Sequence, residues 1–191
     1  MNAIAITLHP AMKLNDDEYY EFCSLNPDTN FEMDRDGRLL IVPPTGGWTG
    51  NKNLKLTTQL GVWTDKDGTG IAFDSNTEFI LPKGGKRSPD AAWIKLERWN
   101  ALTYEQQEKF PPLCPDFVVE LRSASDNLKP IQEKMQEYME SGARLGWLIN
   151  PKNQQVEIYR QGRDKEVLDN PTILSGEDVL SGFILDLKGI L

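Results

Sequence analysis

Apolar and polar positions follow two rhythms along this chain, and the switches between them predict its elements. Asn15-Asp16-Asp17-Glu18 has the form of a capping box, with Asn15 accepting from the first turn and Glu18 reaching back. A short helix therefore opens here and ends near Leu25, stopped by Asn26-Pro27-Asp28. Phe31-Glu32-Met33 and Arg38 to Val42 flank the turn-rich Asp34-Arg35-Asp36-Gly37, which predicts a β-hairpin. Pro43 to Gly47 predicts a loop. From about Gly50 to Asp65, Leu56, Leu60 and Trp63 recur at helical spacing, with Lys52 and Lys55 in the first half of that helix.

Ile71 to Phe73 and Glu78 to Leu81 are short β-rich runs, followed by the basic loop Lys83-Gly84-Gly85-Lys86-Arg87 and a strand-like Pro89 to Ile94. A second capping box, Thr103-Tyr104-Glu105-Gln106, opens a short helix that runs to Phe110 and ends at Pro111 and Pro112. Asp116 to Leu121, with Phe117-Val118-Val119 at its centre, suits a buried central strand. After Ser123-Ala124-Ser125-Asp126 the pattern turns helical, with Pro130 in the first turn and Gly142 as the C-terminal cap. Ile131, Met135, Tyr138 and Met139 make its apolar face, Glu133, Glu137 and Glu140 point away from it, and Lys134 falls on the edge of the stripe. Leu145 to Ile149 and Gln155 to Tyr159 read as strands joined by Pro151-Lys152-Asn153, whereas the segment from Ile173 to Leu191 has no assignable rhythm. The order of elements predicts an α/β or α+β fold around a mixed central sheet flanked by helices.

At 191 residues, 39% apolar and 26% charged, the chain falls in the ordinary globular range, and with no repeat or linker-like run residues 1–191 are expected to form one domain. A chain of this length buries roughly 70% of its unfolded surface and needs no disulfide or structural metal. The net charge of -8 excludes a broad basic groove, so any nucleic-acid contact must come from a local positive patch. Cys23 and Cys114 form no CxxC pair, and His9 is the single histidine. Thiolate zinc sites, catalytic triads and histidine cages are thereby disfavoured. No phosphate-binding glycine motif of the GxxxxGK[ST] or GxGxxG kind occurs. The N-terminal segment is too polar for a secretory signal, and no stretch approaches about 18 consecutive apolar residues, so the expected setting is cytoplasmic, away from membranes.

Carboxylates remain as candidate chemistry. Asp90 begins one predicted strand and Glu120 lies within another, immediately ahead of Leu121-Arg122. On neighbouring strands, their carboxylates and the Leu121 carbonyl offer the hard oxygen ligands that Mg²⁺ prefers. Each acid also has an ordinary explanation. Pro-Asp at a strand start is common turn chemistry, and Glu120 faces solvent if the strand simply alternates. Lys83, Lys86 and Arg87 suit a phosphate backbone or a solvated loop, and Gly46-Gly47 a phosphate cradle or a plain turn.

Several motifs occur in a fixed order: Phe31-Glu32 with Asp36-Gly37-Arg38, Pro43-Pro44-Thr45-Gly46, Leu81-Pro82, and Ser88-Pro89-Asp90-Ala91. Pro115 to Ser123, Lys134 with Tyr138, and Gly142 to Leu148 complete the set. Together, from about Phe31 to Arg160, they resemble the PD-(D/E)XK nuclease superfamily, and more closely its Uma-two branch of restriction-endonuclease-like proteins. The resemblance implies a restriction-endonuclease-like fold and a Mg²⁺- or Mn²⁺-dependent endonuclease acting on DNA. It also implies Asp90, Glu120 and the Leu121 carbonyl as metal ligands, Lys134 as a positive group moved from strand to helix, and Glu32 as an additional acid. Arg122 stands where the superfamily has lysine; it stays protonated, so it can hold a phosphate but not act as a base. The histidine that many relatives carry after the Pro-Pro-Thr loop is absent from Gly47-Trp48-Thr49-Gly50-Asn51-Lys52. Two further readings stand beside the nuclease: a catalytically inactive nuclease-fold binding or regulatory module, and a metal-dependent hydrolase of small phosphoesters. Pairing into a homodimer would let a nuclease cut both strands.

Overall fold

A computed structural model describes residues 3–8 and 12–191. His9 lies outside the described residues. The chain begins with strand β1 (Ile4–Thr7), helix α1 (Asp16–Ser24), strands β2 (Asn30–Met33) and β3 (Arg38–Val42), and the long helix α2 (Gly47–Asp67). Strands β4 (Gly70–Asp74), β5 (Phe79–Ile80), β6 (Lys86–Arg87) and β7 (Ala91–Lys95) follow, then the short helices α3 (Leu96–Asn100) and α4 (Tyr104–Glu108). The second half contains β8 (Phe117–Leu121), α5 (Leu128–Glu140), β9 (Leu145–Asn150), β10 (Gln155–Arg160), β11 (Glu166–Asp169), β12 (Ile173–Ser175) and β13 (Ile184–Asp186).

Both predicted capping boxes form, at Asn15 with Glu18 and at Thr103 with Gln106. α2 is longer than its apolar spacing predicts: Gly47, Trp48 and Thr49 extend it ahead of the stripe of Leu56, Leu60 and Thr64, and Lys66 and Asp67 beyond it. Gly142 takes a φ of 109° just beyond α5, where a side chain would strain the backbone.

The central sheet has the order β11-β10-β9-β8-β7-β4. It is mixed: β8 runs antiparallel to β7 and parallel to β9, with α5 as the crossover. A second sheet, β1-β3-β2-β6-β5, contains the predicted hairpin, and β12 pairs β13 in the segment that lacked a readable pattern. Alternation along β8 divides the core. Phe117, Val119 and Leu121 join Leu56 and Leu60 of α2, Trp93, Trp147 and the C-terminal hairpin on one face. Val118 joins Met135 and Tyr138 of α5, Ala92, Ile94 and Leu148 on the other. Gly146 lets α5 approach closely, since a Cβ there would lie 2.5 Å from the Met135 methyl. No helix among the described residues is long and apolar enough to cross a membrane.

Two sequence expectations are corrected. Glu137 points inward, not away from the core: it is 4% exposed, and its Oε2 accepts from Arg87 Nη2 at 2.6 Å. Neither reading of the basic loop, phosphate-facing or solvated, holds at Lys86 and Arg87, which form β6 and are buried. Lys86 pairs with Asp16 at 2.8 Å, and Arg87 lies between Glu32 and Glu137, so acids of this chain take the charges that would meet phosphate.

Candidate active site

The site lies where the two sheets and α5 meet. Asp90 occupies the bend that opens β7; β7 and β8 pair Ala91 with Val119, so one further step in register sets Asp90 opposite Glu120. Glu120 has the parity of Val118, which directs it toward α5. There Lys134 Nζ lies 2.8 Å from Glu120 Oε1, 2.7 Å from Glu32 Oε1 and 3.0 Å from the Ser88 carbonyl oxygen. Those acceptors match the ammonium's three donors. One turn further along α5, the Tyr138 hydroxyl donates to Glu120 Oε1 at 3.0 Å. Glu120 Oε2 carries no hydrogen bond among the described residues.

Asp90 is held differently, by neutral donors. Its Oδ2 accepts from the Leu121 backbone N–H at 2.6 Å and its Oδ1 from the Asn53 side-chain amide of α2 at 2.8 Å. Glu32, on β2, is committed to cations: besides Lys134, its Oε2 accepts from Arg87 Nη1 at 3.0 Å and its Oε1 from the Ser88 N–H at 3.0 Å. Gly85 makes room for the far end of this network, because a Cβ there would fall 1.8 Å from Glu137 Oε1.

These surroundings set the charges. Burial pushes Glu32 up, yet the adjacent Lys134 and Arg87 outweigh it and hold the carboxyl below its usual range. Burial pushes Asp90 up, with the Leu121 N–H and Lys134 pulling the other way. Glu120 is pushed up to about 7, first by burial and then by Asp90 and Glu32, against the pull of Lys134. Burial would lower Lys134, but Glu120 and Glu32 raise it above the ordinary lysine value, so it stays an ammonium and cannot act as a base.

The geometry brings Asp90, Glu120, Lys134 and Glu32 together. Arg122 stands apart from them. Its Nε and Nη2 donate to the Asp126 carbonyl at 3.1 and 3.0 Å and its Nη1 to Asn150 Oδ1 at 3.2 Å, tying down the loop between β8 and α5. The Leu121 backbone contributes through its N–H, whereas its carbonyl was the expected ligand atom.

Asn53 and the Arg87–Glu137 pair were not picked out from the sequence. Asn53 had a signal: it sits three residues before Leu56 and seven before Leu60, a polar residue at the start of a buried stripe. Tyr138 was visible as an apolar-face residue, but nothing local in the sequence shows its hydroxyl reaching Glu120.

No group of three or more His, Cys, Asp or Glu side chains disposed to hold a metal occurs among the described residues. The donor set that remains is Asp90 and Glu120, since Glu32 is taken by Lys134 and Arg87. Two buried carboxylates, one without a cationic contact of its own and the other with a free oxygen, suit a hard divalent ion that keeps several waters.

The family Uma2, described as "Putative restriction endonuclease", matches residues 16–188. The fold is similar to that in a crystal structure described as "a putative nuclease belonging to DUF820", from Anabaena variabilis ATCC 29413. The TM-score is 0.72 at 19% identity, covering 85% of this chain and 90% of that one. No curated protein matches the sequence. With its match running from the first helix to beyond the last strand, the chain belongs to the Uma2 family.

Proposed function

We propose that this protein is a Mg²⁺-dependent endonuclease, also served by Mn²⁺, that hydrolyses DNA phosphodiester bonds. One observation carries the reading: Asp90 and Glu120 stand opposite one another in the β7–β8 register, near enough for the Asp90 charge to act on Glu120, beside an ammonium fixed by Glu32. Asp90, Glu120 and the Leu121 carbonyl would hold the cation. When bound, it supplies Lewis-acid polarisation of the scissile phosphate and a lowered pKa for the attacking water.

The chain's own residues do the rest. The Asn53 amide and the Leu121 N–H fix both oxygens of Asp90, so its carboxylate cannot swing away. Lys134 and Tyr138 together hold Glu120 Oε1, which leaves Oε2 free to take a ligand. Lys134 also offsets negative charge that gathers on the phosphorus oxygens. Direct contact with a phosphate oxygen requires giving up one acceptor, and the neutral Ser88 carbonyl, the longest of the three contacts, is the one released. Arg122 shapes the loop at the carboxyl end of β8.

The competing reading, an inactive binding or regulatory module on the same fold, is favoured by one feature: every Lys134 donor already has a partner within the protein. Calorimetric titration with Mn²⁺, on the natural chain and on Asp90→Ala, tests the cation site; heat of binding that disappears in the variant is expected. Incubation with supercoiled and single-stranded DNA and with a small phosphodiester then tests the substrate. Cation-dependent nicking, or linear product if two chains pair, supports the proposal. Supercoiled DNA left intact by folded, Mn²⁺-loaded protein overturns it, and hydrolysis of the small ester alone moves the substrate class.

A further inference from the structure

We propose that Asn53 is the third side-chain oxygen ligand of the divalent cation held by Asp90 and Glu120; the inference rests on the metal-dependent reading proposed for this site. The Asn53 amide donates through Nδ2 to Asp90 Oδ1 at 2.8 Å. An ionised carboxylate can only accept, so this contact fixes which end of the amide faces Asp90. The other end, Asn53 Oδ1, is then a buried oxygen with no hydrogen-bond partner. Carbonyl oxygens enclosed without a donor are uncommon and costly, and an ion or a water bound to it is one of the few explanations that removes the cost.

Position and chemistry agree with that explanation. Asn53 is brought to the site by α2, whose stripe of Leu56, Leu60 and Thr64 packs on the central sheet, so the amide is anchored on a rigid element. The candidate carboxylates come from the sheet alone, and α2 adds a neutral oxygen from a separate element beside Asp90. Two carboxylates, the Leu121 carbonyl and one amide oxygen would leave two positions of an octahedral ion for water and a phosphate, and the two carboxylates balance a divalent charge without excess.

The test measures cation affinity, independent of cleavage. Mn²⁺ binding is followed by calorimetry and by the electron spin resonance signal of free Mn²⁺ for the natural chain, Asn53→Ala, Asn53→Asp and Asp90→Ala, with circular dichroism to show that each is folded. Asn53→Ala is expected to weaken Mn²⁺ binding by about 10–100-fold. Asn53→Asp keeps an oxygen but cannot donate to Asp90, so it separates a ligand from a residue that only orients Asp90. Affinity equal to or tighter than the natural chain is expected, together with a lower melting temperature without the ion and a larger rise when Mn²⁺ is added.

Unchanged affinity in Asn53→Ala, or weakened affinity in Asn53→Asp, overturns the proposal and leaves the metal-dependent reading standing. Absence of Mn²⁺ binding by the natural chain, with Asp90→Ala no different from it, removes both.

Discussion

Glu120 and Glu157 occupy the same row of the central sheet, each in register with Leu148 between them. Each is 7% exposed, accepts from a tyrosine and is paired with a lysine. Their charges nevertheless differ. Burial pushes Glu157 up, but Tyr159, Lys165 and Gln132 together bring it below the usual carboxylate range. Glu120 is raised to about 7, because Asp90 and Glu32 add like charge to its burial. A tyrosine, a lysine and a buried glutamate thus make an ordinary ion pair at one end of the row. A second acid without a cation of its own turns the same inventory into a cation-deficient cluster at the other.

The largest expected contrast is in chemistry. Asp90→Ala or Glu120→Ala should cut cation-dependent DNA cleavage by on the order of 10³-fold, as expected when a group acting on transition-state charge is removed. Glu157→Gln should leave the rate within about twofold; equal losses at the two glutamates would erase the distinction.

Stability separates the lysines next. Lys134→Met leaves Glu120 in the interior without its cation and takes one of the two cations that Glu32 has, so urea denaturation should show a loss of roughly 3–5 kcal/mol. Lys165→Met, whose side chain is 41% exposed, should cost about 1 kcal/mol or less.

A third contrast is in pH. Glu120 binds its proton more tightly folded than unfolded, so the folded state loses stability as pH rises from about 4.5 toward about 7, and the loss is complete above that. The fall is of order 3 kcal/mol at most, and Glu120→Gln should abolish that share of it. Glu78, pushed up to about 8 chiefly by burial, titrates in an overlapping range, so the difference between the two proteins is the quantity to measure. Glu157 works in the opposite sense: its stabilisation is present above the unfolded carboxylate pKa and disappears as pH falls through the lowered value. Saturating Mn²⁺ should flatten the Glu120 contribution and leave that of Glu157 unchanged.

A smaller effect than at the acids or Lys134 belongs to Arg122. Arg122→Ala should cost about 1–2 kcal/mol through the lost tie to Asp126 and Asn150 and lower cleavage only modestly. A loss matching that of Glu120→Ala would return Arg122 to the centre of the chemistry.

What the sequence made legible was local. Capping at Asn15 and Thr103, the Phe31-to-Val42 hairpin and the buried Phe117-to-Leu121 strand are governed by neighbours within a few residues, and all are present. β1, β11 and the β12–β13 pair escaped because their short segments are mostly exposed and carry little hydrophobic rhythm. At the site, Asp90, Glu120, Lys134 and Glu32 stood out through ordered motifs. Arg87 with Glu137 did not, since two opposite charges fifty residues apart look like two solvated side chains until folding brings them together.

The crossover from β8 through α5 to β9 also governs when the candidate site is assembled. Fourteen residues separate Glu120 from Lys134, and both belong to that single unit, so docking of one helix delivers the ammonium to the acid. Before it docks, Tyr138 and Lys134 are both missing from Glu120, whose carboxylate is then free to rotate. The arrangement proposed to act on DNA is therefore complete only once the parallel strand β9 is in place.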